Sequence, residues 1–337
     1  MRLWIIAGPM LALALVAACG APQTDRGVGM PPDDPIFWPR AEAAAPVSVP
    51  PVSVTAPIQL DCAGAYVQGG VVVCRTEPGA TLRVDGTDRG KTDADGWVVL
   101  GFDRDAGATA EVIIVGARSQ RAETVTVASR TFSIQRVDGL PQETVTPTDP
   151  AVLARIARET EIKNRARETR AALHGFNDAF LWPTQGRMSG PWGNQRVLNG
   201  VPKSPHYGID IAAPVGTPIR APASGVIALA NPDMHFEGGL VMIDHGQGLI
   251  SYYLHMSRLD VADGQAVAQG QVIGAVGRSG RTTGPHLCWR MRWRDRNLDP
   301  SLAVQALQAA RTHFNPGAVI DVGAAPSGFT PWTPISQ

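Results

Sequence analysis

Pro202-Lys203-Ser204-Pro205-His206-Tyr207-Gly208-Ile209-Asp210-Ile211-Ala212-Ala213-Pro214 is the stretch on which the reading of this chain turns. It sets an imidazole and a carboxylate four residues apart. Pro205, Gly208 and Pro214 argue against a helix. In extended chain an even spacing aims His206 and Asp210 at one face. A second stretch, Thr283-Gly284-Pro285-His286-Leu287-Cys288-Trp289-Arg290, completes the pattern. On a strand His286 and Cys288 share a face, and Leu287 and Trp289 turn to the other, toward a core. Imidazole, carboxylate and thiolate are ordinary zinc donors, and a catalytic zinc keeps three protein ligands and one open position. His206, Asp210, Cys288 and His286 are thus the candidate site.

Composition bounds the rest. The chain has 337 residues, room for about two domains. Hydrophobic residues make up 44% and charged residues 18%, enough for a sizeable core. Lys+Arg and Asp+Glu balance at 30 each, so nothing points to a nucleic-acid partner. With 36 glycines and 28 prolines, a loop-rich and mainly β protein is expected.

Arg2 is followed by an apolar run from Leu3 to Ala18, too short for a membrane span and suited to an export signal. The run ends in Val16-Ala17-Ala18-Cys19, which resembles the lipobox of bacterial lipoproteins; an ordinary signal peptide containing a cysteine is the alternative. The lipobox implies cleavage before Cys19, a lipid anchor on it, and a periplasm-facing place in the cell envelope, at the outer rather than the inner membrane. Residues 20–57 hold nine prolines and read as an extended tether, with Ile36-Phe37-Trp38 a chance apolar patch or a small docking motif.

Between 58 and 137 short apolar runs recur at Val71-Val72-Val73, Thr81-Leu82-Arg83-Val84, Trp97-Val98-Val99-Leu100, Val112-Ile113-Ile114-Val115, Thr124-Val125-Thr126-Val127 and Phe132-Ser133-Ile134. Asp85-Gly86 and Asp95-Gly96 mark turns between them. This predicts a small β-sandwich, Ig-like in character. Cys62 and Cys74 fall inside it, and an oxidising compartment favours a disulfide between them. Residues 148–175 read as a connector helix: Thr148 or Asp149 caps it, Pro150 opens it and Gly175 ends it. Its thin apolar stripe predicts a solvated element, with a basic face against anionic wall polymer as the alternative.

Residues 180–312 carry the chemistry. Strands are predicted at 217–221, 225–230, 240–244, 249–255, 272–276 and 287–293. The segment from Gly186 to Pro300 resembles the lysostaphin-type (LytM-like) zinc metalloendopeptidases of bacterial cell walls. The resemblance rests on His206-Tyr207-Gly208-Ile209-Asp210 as an H-x-G-x-D motif. It continues through Ala213-Pro214-Val215-Gly216-Thr217-Pro218, Ile243-Asp244-His245-Gly246, Tyr253-Leu254-His255-Met256-Ser257 and Ser279-Gly280-Arg281-Thr282-Thr283-Gly284-Pro285-His286. It implies an antiparallel β-sheet peptidase domain, one zinc ion held by His206, Asp210 and the residue at 288, and His255 and His286 as catalytic residues, base and oxyanion donor in either order. It implies peptidoglycan stem peptides as substrate. Where the family has the second histidine of H-x-H, this chain has Cys288, still a zinc donor but an anionic one. Degenerate members of the family activate wall amidases, so an amidase partner without catalysis is the competing expectation.

Cysteine arithmetic bears on the same position. With lipid on Cys19 and Cys62 paired to Cys74, Cys288 is the odd thiol, protected either by metal or by core burial. Tyr253 is expected on the face of His255, as a substrate contact or a core residue. His245 is expected to order its turn and His235 to sit in a solvated loop, with the rim of the groove as the alternative; His174 and His313 receive no role. Residues 313–337 read as a flexible tail.

Overall fold

A computed structural model describes residues 58–317, 320–331 and 333, all within a unit that begins at Val54. The export signal, Cys19, the proline-rich tether and Ile36-Phe37-Trp38 lie outside the described residues. The described chain is mainly β with few helices, and its sheets are antiparallel but for one parallel pairing.

Residues 58–128 form two small antiparallel sheets. One orders Asp61–Gly64, Val71–Arg75 and Trp97–Gly101. The other orders Thr87–Lys91, Thr81–Val84, Thr109–Val115 and Gln120–Thr126. Strict alternation buries Ala110, Val112 and Ile114 and exposes Thr109 and Glu111, the period-2 signature of a half-buried strand. Cys62 lies directly opposite Cys74 in the ladder, and the two are joined as a disulfide. The strand expected at Phe132-Ser133-Ile134 is Ile134–Val137, and it leaves this module. It pairs in parallel with Gln195–Leu198 because Asn199 exchanges side-chain hydrogen bonds with both backbone groups of Leu140, and Leu140, Val145 and Leu198 bury together.

The dominant sheet has eight strands, in the order Ala266–Val267, Gly225–Met234, Gly238–Asp244, Leu249–Met256, His286–Trp293, Ile209–Ala212 and Arg187–Gly190, with Arg296–Leu298 paired to His286–Trp293. The strand expectations match within a residue or two, except that Gly225–Met234 runs on as a long hairpin arm. Leu249–Met256 is buried along its whole length because both faces of the sheet are covered. One face carries Ile209, Ile211, Tyr253, Leu287, Trp289 and Trp293 into the large core. The opposite face carries Leu240, Met242, Tyr252, Leu254 and Cys288 under a helix.

That helix is Pro150–Arg167, with the Asp149 side chain accepting from the backbone amide of Ala151. It corrects the expected connector twice. It stops at Arg167 rather than near Gly175, since the chain must turn into the sheet: Asp244 accepts from the amide of Ala171, and Phe176 is fully buried. It is also docked, not solvated. Ile162 and Ala166 join the apolar cluster, and buried Lys163 pairs with half-buried Glu237.

A further helix, Pro300–Phe314, adds to the expected elements, and Asp299-Pro300 is its cap followed by a first-turn proline. It buries Leu302, Ala303, Val304, Ala306, Leu307 and Ala310 against Asp61–Gly64 and Val71–Arg75. The expected flexible tail is likewise corrected where it is described. The amide of Met188 donates to the carbonyl of Ser327 at 2.8 Å, and Phe329 meets Trp182 edge-on at 5.0 Å. The edge strand Arg187–Gly190 and the Trp182 ring give those residues something to bind.

Candidate metal centre

Sheet register builds the site. Asp210 lies opposite Cys288, Cys288 opposite Leu254, and Asp210 opposite Gly190, so one row crosses four strands. Directly opposed residues point to the same face. Asp210 and Cys288 therefore converge on the face away from Leu287 and Trp289, as alternation along the second stretch predicts. His206 comes from the loop before Ile209–Ala212. Its amide donates to Asn194 O at 2.8 Å and its carbonyl accepts from Gly193 N at 2.7 Å. The glycine of H-x-G-x-D has a steric reason: a Cβ on Gly208 would lie 2.7 Å from Arg290 Cγ and 3.1 Å from Cys288 Sγ. A Cβ on Gly190 would lie 2.4 Å from Asp210 Oδ2.

His206 Nε2 stands 3.1 Å from Asp210 Oδ1 and 3.5 Å from Cys288 Sγ. All three donor atoms lie within 4.8 Å of one another, and all three residues are buried. His206 Nδ1 faces the carbonyl of Pro191 at 3.2 Å, an acceptor only, so that nitrogen carries the proton and Nε2 keeps its lone pair. Burial lowers the affinity of His206 for a second proton, against the pull of Asp210. Burial alone would raise the Asp210 carboxyl, yet His206 and Arg196 hold it well below the usual range. Burial, and then Asp210, push the Cys288 thiol up to about 11 against the pull of Arg290 and Arg196.

The donor set passes a simple test of fit to a cation. Asp210 Oδ1 is buried without a hydrogen-bond partner. An imidazole lone pair, a carboxylate oxygen and a sulfur converge on one point with no donor proton between nitrogen and oxygen. A cation satisfies all three, and the histidine, carboxylate and thiol chemistry suits zinc. Arg196 donates to Asp210 Oδ2 at 2.6 Å, which fixes the carboxylate and leaves Oδ1 facing the other donors.

His255 and His286 stand beside this group, ring centroids 4.7 Å apart. His286 Nε2 is 3.6 Å from Asp210 Oδ1. Both rings present Nε2 toward the site by the same device. His255 Nδ1 donates to the carbonyl of Ser279 at 2.8 Å, and His286 Nδ1 to that of Gly284 at 2.9 Å. Burial, then the charge of His286, pushes His255 down to about 3, so it is neutral.

His255 reaches the site through a break in alternation. Gly239 pairs with Met256 and Val241 with Tyr253, so Leu254 and His255 together oppose Leu240. His255 takes a left-handed φ of 65°, costly for a residue with a side chain and typical of a bulge beside a site. This overturns the expected shared face of Tyr253 and His255. Tyr253 is fully buried in the opposite core, its hydroxyl 2.8 Å from Ser251 Oγ. His245 orders its turn as expected: Nδ1 donates to Ser224 O at 2.8 Å and Nε2 lies 2.7 Å from Ser251 Oγ. His235 is half-buried rather than solvated, its amide held by Glu159. His174 and His313 face Asp93 and Asp61 instead.

Sequence reasoning missed Arg196, Arg281 and Arg290. Arg290 follows Cys288 at the next same-face position, a signal that period 2 carries. Arg196 and Arg281 arrive from other segments and leave no such trace.

Residues 204–300 match the model of peptidase family M23. The peptidoglycan DD-endopeptidase ShyA of Vibrio cholerae is 41% identical over 106 residues, which cover 31% of this chain and 24% of that protein. The DD-carboxypeptidase/endopeptidase Mpg of Neisseria meningitidis is 45% identical over 95 residues, 28% of this chain and 22% of that one. The match thus spans about a quarter of the length of these curated relatives. A crystal structure from Pseudomonas aeruginosa assigned to peptidase M23 is 30% identical, with a TM-score of 0.56 over 72% of this chain and 96% of that one. The fold is thus that of a peptidase family, and this chain belongs to peptidase family M23.

Proposed function

We propose that this protein is a zinc-dependent endopeptidase that hydrolyses the peptide cross-links of peptidoglycan in the cell envelope. The observation that carries the reading is the convergence of His206, Asp210 and Cys288 around the unpartnered Asp210 Oδ1, with two histidines presenting Nε2 beside it. The names of its relatives, peptidoglycan DD-endopeptidases among them, supply the substrate class.

His206, Asp210 and Cys288 would hold the ion. Bound there, zinc supplies Lewis acidity, which polarises the scissile carbonyl and lowers the pKa of water. His255 serves as the base, because Nδ1 is held by the carbonyl of Ser279 and its Nε2 lone pair is free. His286, less enclosed at 15% side-chain exposure, hydrogen-bonds the developing oxyanion when its Nε2 carries a proton, and His255 returns to the leaving amine the proton it took from water. Arg196 keeps the Asp210 carboxylate in place. The protein acts from a lipid anchor on Cys19, on the periplasmic face of the envelope and at the outer membrane.

Cys288 favours one competing reading, a wall-binding protein that activates an amidase without cleaving. A thiolate gives the donor set two anions where a second histidine would leave one, which weakens the ion as a Lewis acid. Full chain lacking residues 1–19, incubated with cross-linked muropeptide dimers, is expected to release monomers in a chelator-sensitive way. His255→Ala should slow this by about 100-fold or more while zinc content holds. Intact dimers with both proteins, together with stimulation of a wall amidase, would establish the competing reading.

A further inference from the structure

Next to the metal centre lies a cleft of about 210 Å³ lined by Arg196, Lys203, Arg281 and Arg290 together with His206 and Tyr207. No carboxylate lines it. Arg196 and Arg281 also line the adjoining cleft that holds Asp210, His255 and His286, so the two share a wall. Arg196 is committed to Asp210. The other three cations pair with no carboxylate among the described residues. Arg281 donates to the carbonyl of Thr144 at 3.3 Å and lies 4.7 Å over the ring of Phe236, both neutral partners. Arg290 Nε is buried without a hydrogen-bond partner, and the guanidinium meets Cys288 rather than a carboxylate.

Like charges gathered in a partly buried cleft repel and lose hydration. Burial first, then Arg290 and Arg196, push the Arg281 guanidinium below its usual range. An arrangement of this kind is relieved by an anion, and guanidinium forks suit carboxylates. We infer that the cleft is a subsite for a carboxylate carried by the substrate peptide close to its scissile bond. The inference rests on the endopeptidase reading for what the peptide is, but on the cleft alone for its charge. Arg281 and Lys203 are the specificity determinants; Arg290 completes the positive wall beside Cys288.

The test uses two probes, a fluorescein-labelled stem tetrapeptide with free carboxylates and its carboxamide counterpart. Binding is measured by anisotropy on the metal-loaded full chain lacking residues 1–19 and carrying His255→Ala, which prevents turnover. The acid is expected to bind about tenfold tighter than the amide at low salt, the size of one charge-assisted hydrogen bond. The preference should shrink at high salt. Arg281→Gln and Lys203→Gln should each remove most of the preference, leave amide binding and zinc content unchanged, and in the active background raise KM rather than lower kcat. Arg281→Lys should retain the preference in part. Equal binding of acid and amide, or a preference untouched by both glutamine variants, overturns the inference. A wild-type chain that prefers the acid yet cleaves neither the acid nor the amide dimer would sink the endopeptidase reading and leave the subsite standing. Cleavage of both dimers with equal kcat/KM would sink the subsite alone.

Discussion

At the scale of single residues, Cys288 is decisive. Its thiol is raised by burial, so it ionises only where positive charge compensates it. A cation between His206, Asp210 and Cys288 does this, with Arg290 as the neighbouring charge on the same strand face. Cys288→Ala should therefore lose most bound zinc, since two protein ligands make a poor structural or catalytic site. Cys288→His should retain about one zinc per chain and raise activity, because a neutral ligand leaves the metal more electrophilic. Metal analysis of the purified variants checks both, and full zinc occupancy in Cys288→Ala would show that the sulfur is no ligand.

At the scale of elements, the helix Pro150–Arg167 acts on the site from outside it. Lys163 pairs with Glu237, and both side chains are nearly enclosed, at 11% and 13% exposure. The backbone carbonyl of Glu237 in turn accepts from the amide of His255 at 2.8 Å. The helix thus clamps the turn that holds the bulge. Removing one partner of an enclosed ion pair strands the other charge. Lys163→Met is expected to destabilise the fold by about 3–5 kcal/mol in urea unfolding. Adding Glu237→Gln should recover part of that loss, and a double variant no better than the single one would contradict the clamp.

At the scale of the whole molecule, buried histidines tie stability to pH. His245 is fully enclosed, and burial lowers it to about 4 from an ordinary 6.5. Its two ring nitrogens already have partners suited to the neutral form. Below pH 6.5 the unfolded chain binds a proton that the folded chain refuses. Stability from this residue is complete above 6.5 and drains away as pH falls toward 4, by at most about 1.4 kcal/mol per pH unit. Denaturation midpoints at pH 7 and pH 5 should therefore drop less in His245→Gln than in wild type. Metal loss at low pH is common to both proteins, so equal drops would remove His245 as the cause.

Much of this protein could be read from its sequence because the signals are local. Strand alternation in Leu287-Cys288-Trp289 assigns each side chain a face, and the ladder obeys it. The spacing of Cys62 and Cys74 fits a hairpin clip, and their ladder positions coincide. His206, Asp210 and Cys288 are recognisable by donor chemistry; the register brings Asp210 and Cys288 together, and the loop before Ile209–Ala212 adds His206. Only the tertiary structure decides the rest, since it depends on partners far away in the chain. The bulge at His255 exists because Leu249–Met256 must match Gly238–Asp244 while its end is pinned by Glu237, and no count of periods reveals an added residue. Helix Pro150–Arg167 reads as solvated because its buried residues include Glu159 and Lys163, whose partners outside the helix, His235 and Glu237, lie over 70 positions away. Arg196, Arg281 and Arg290 come from three segments, and their shared cleft arises only when the sheet closes its register around Asp210.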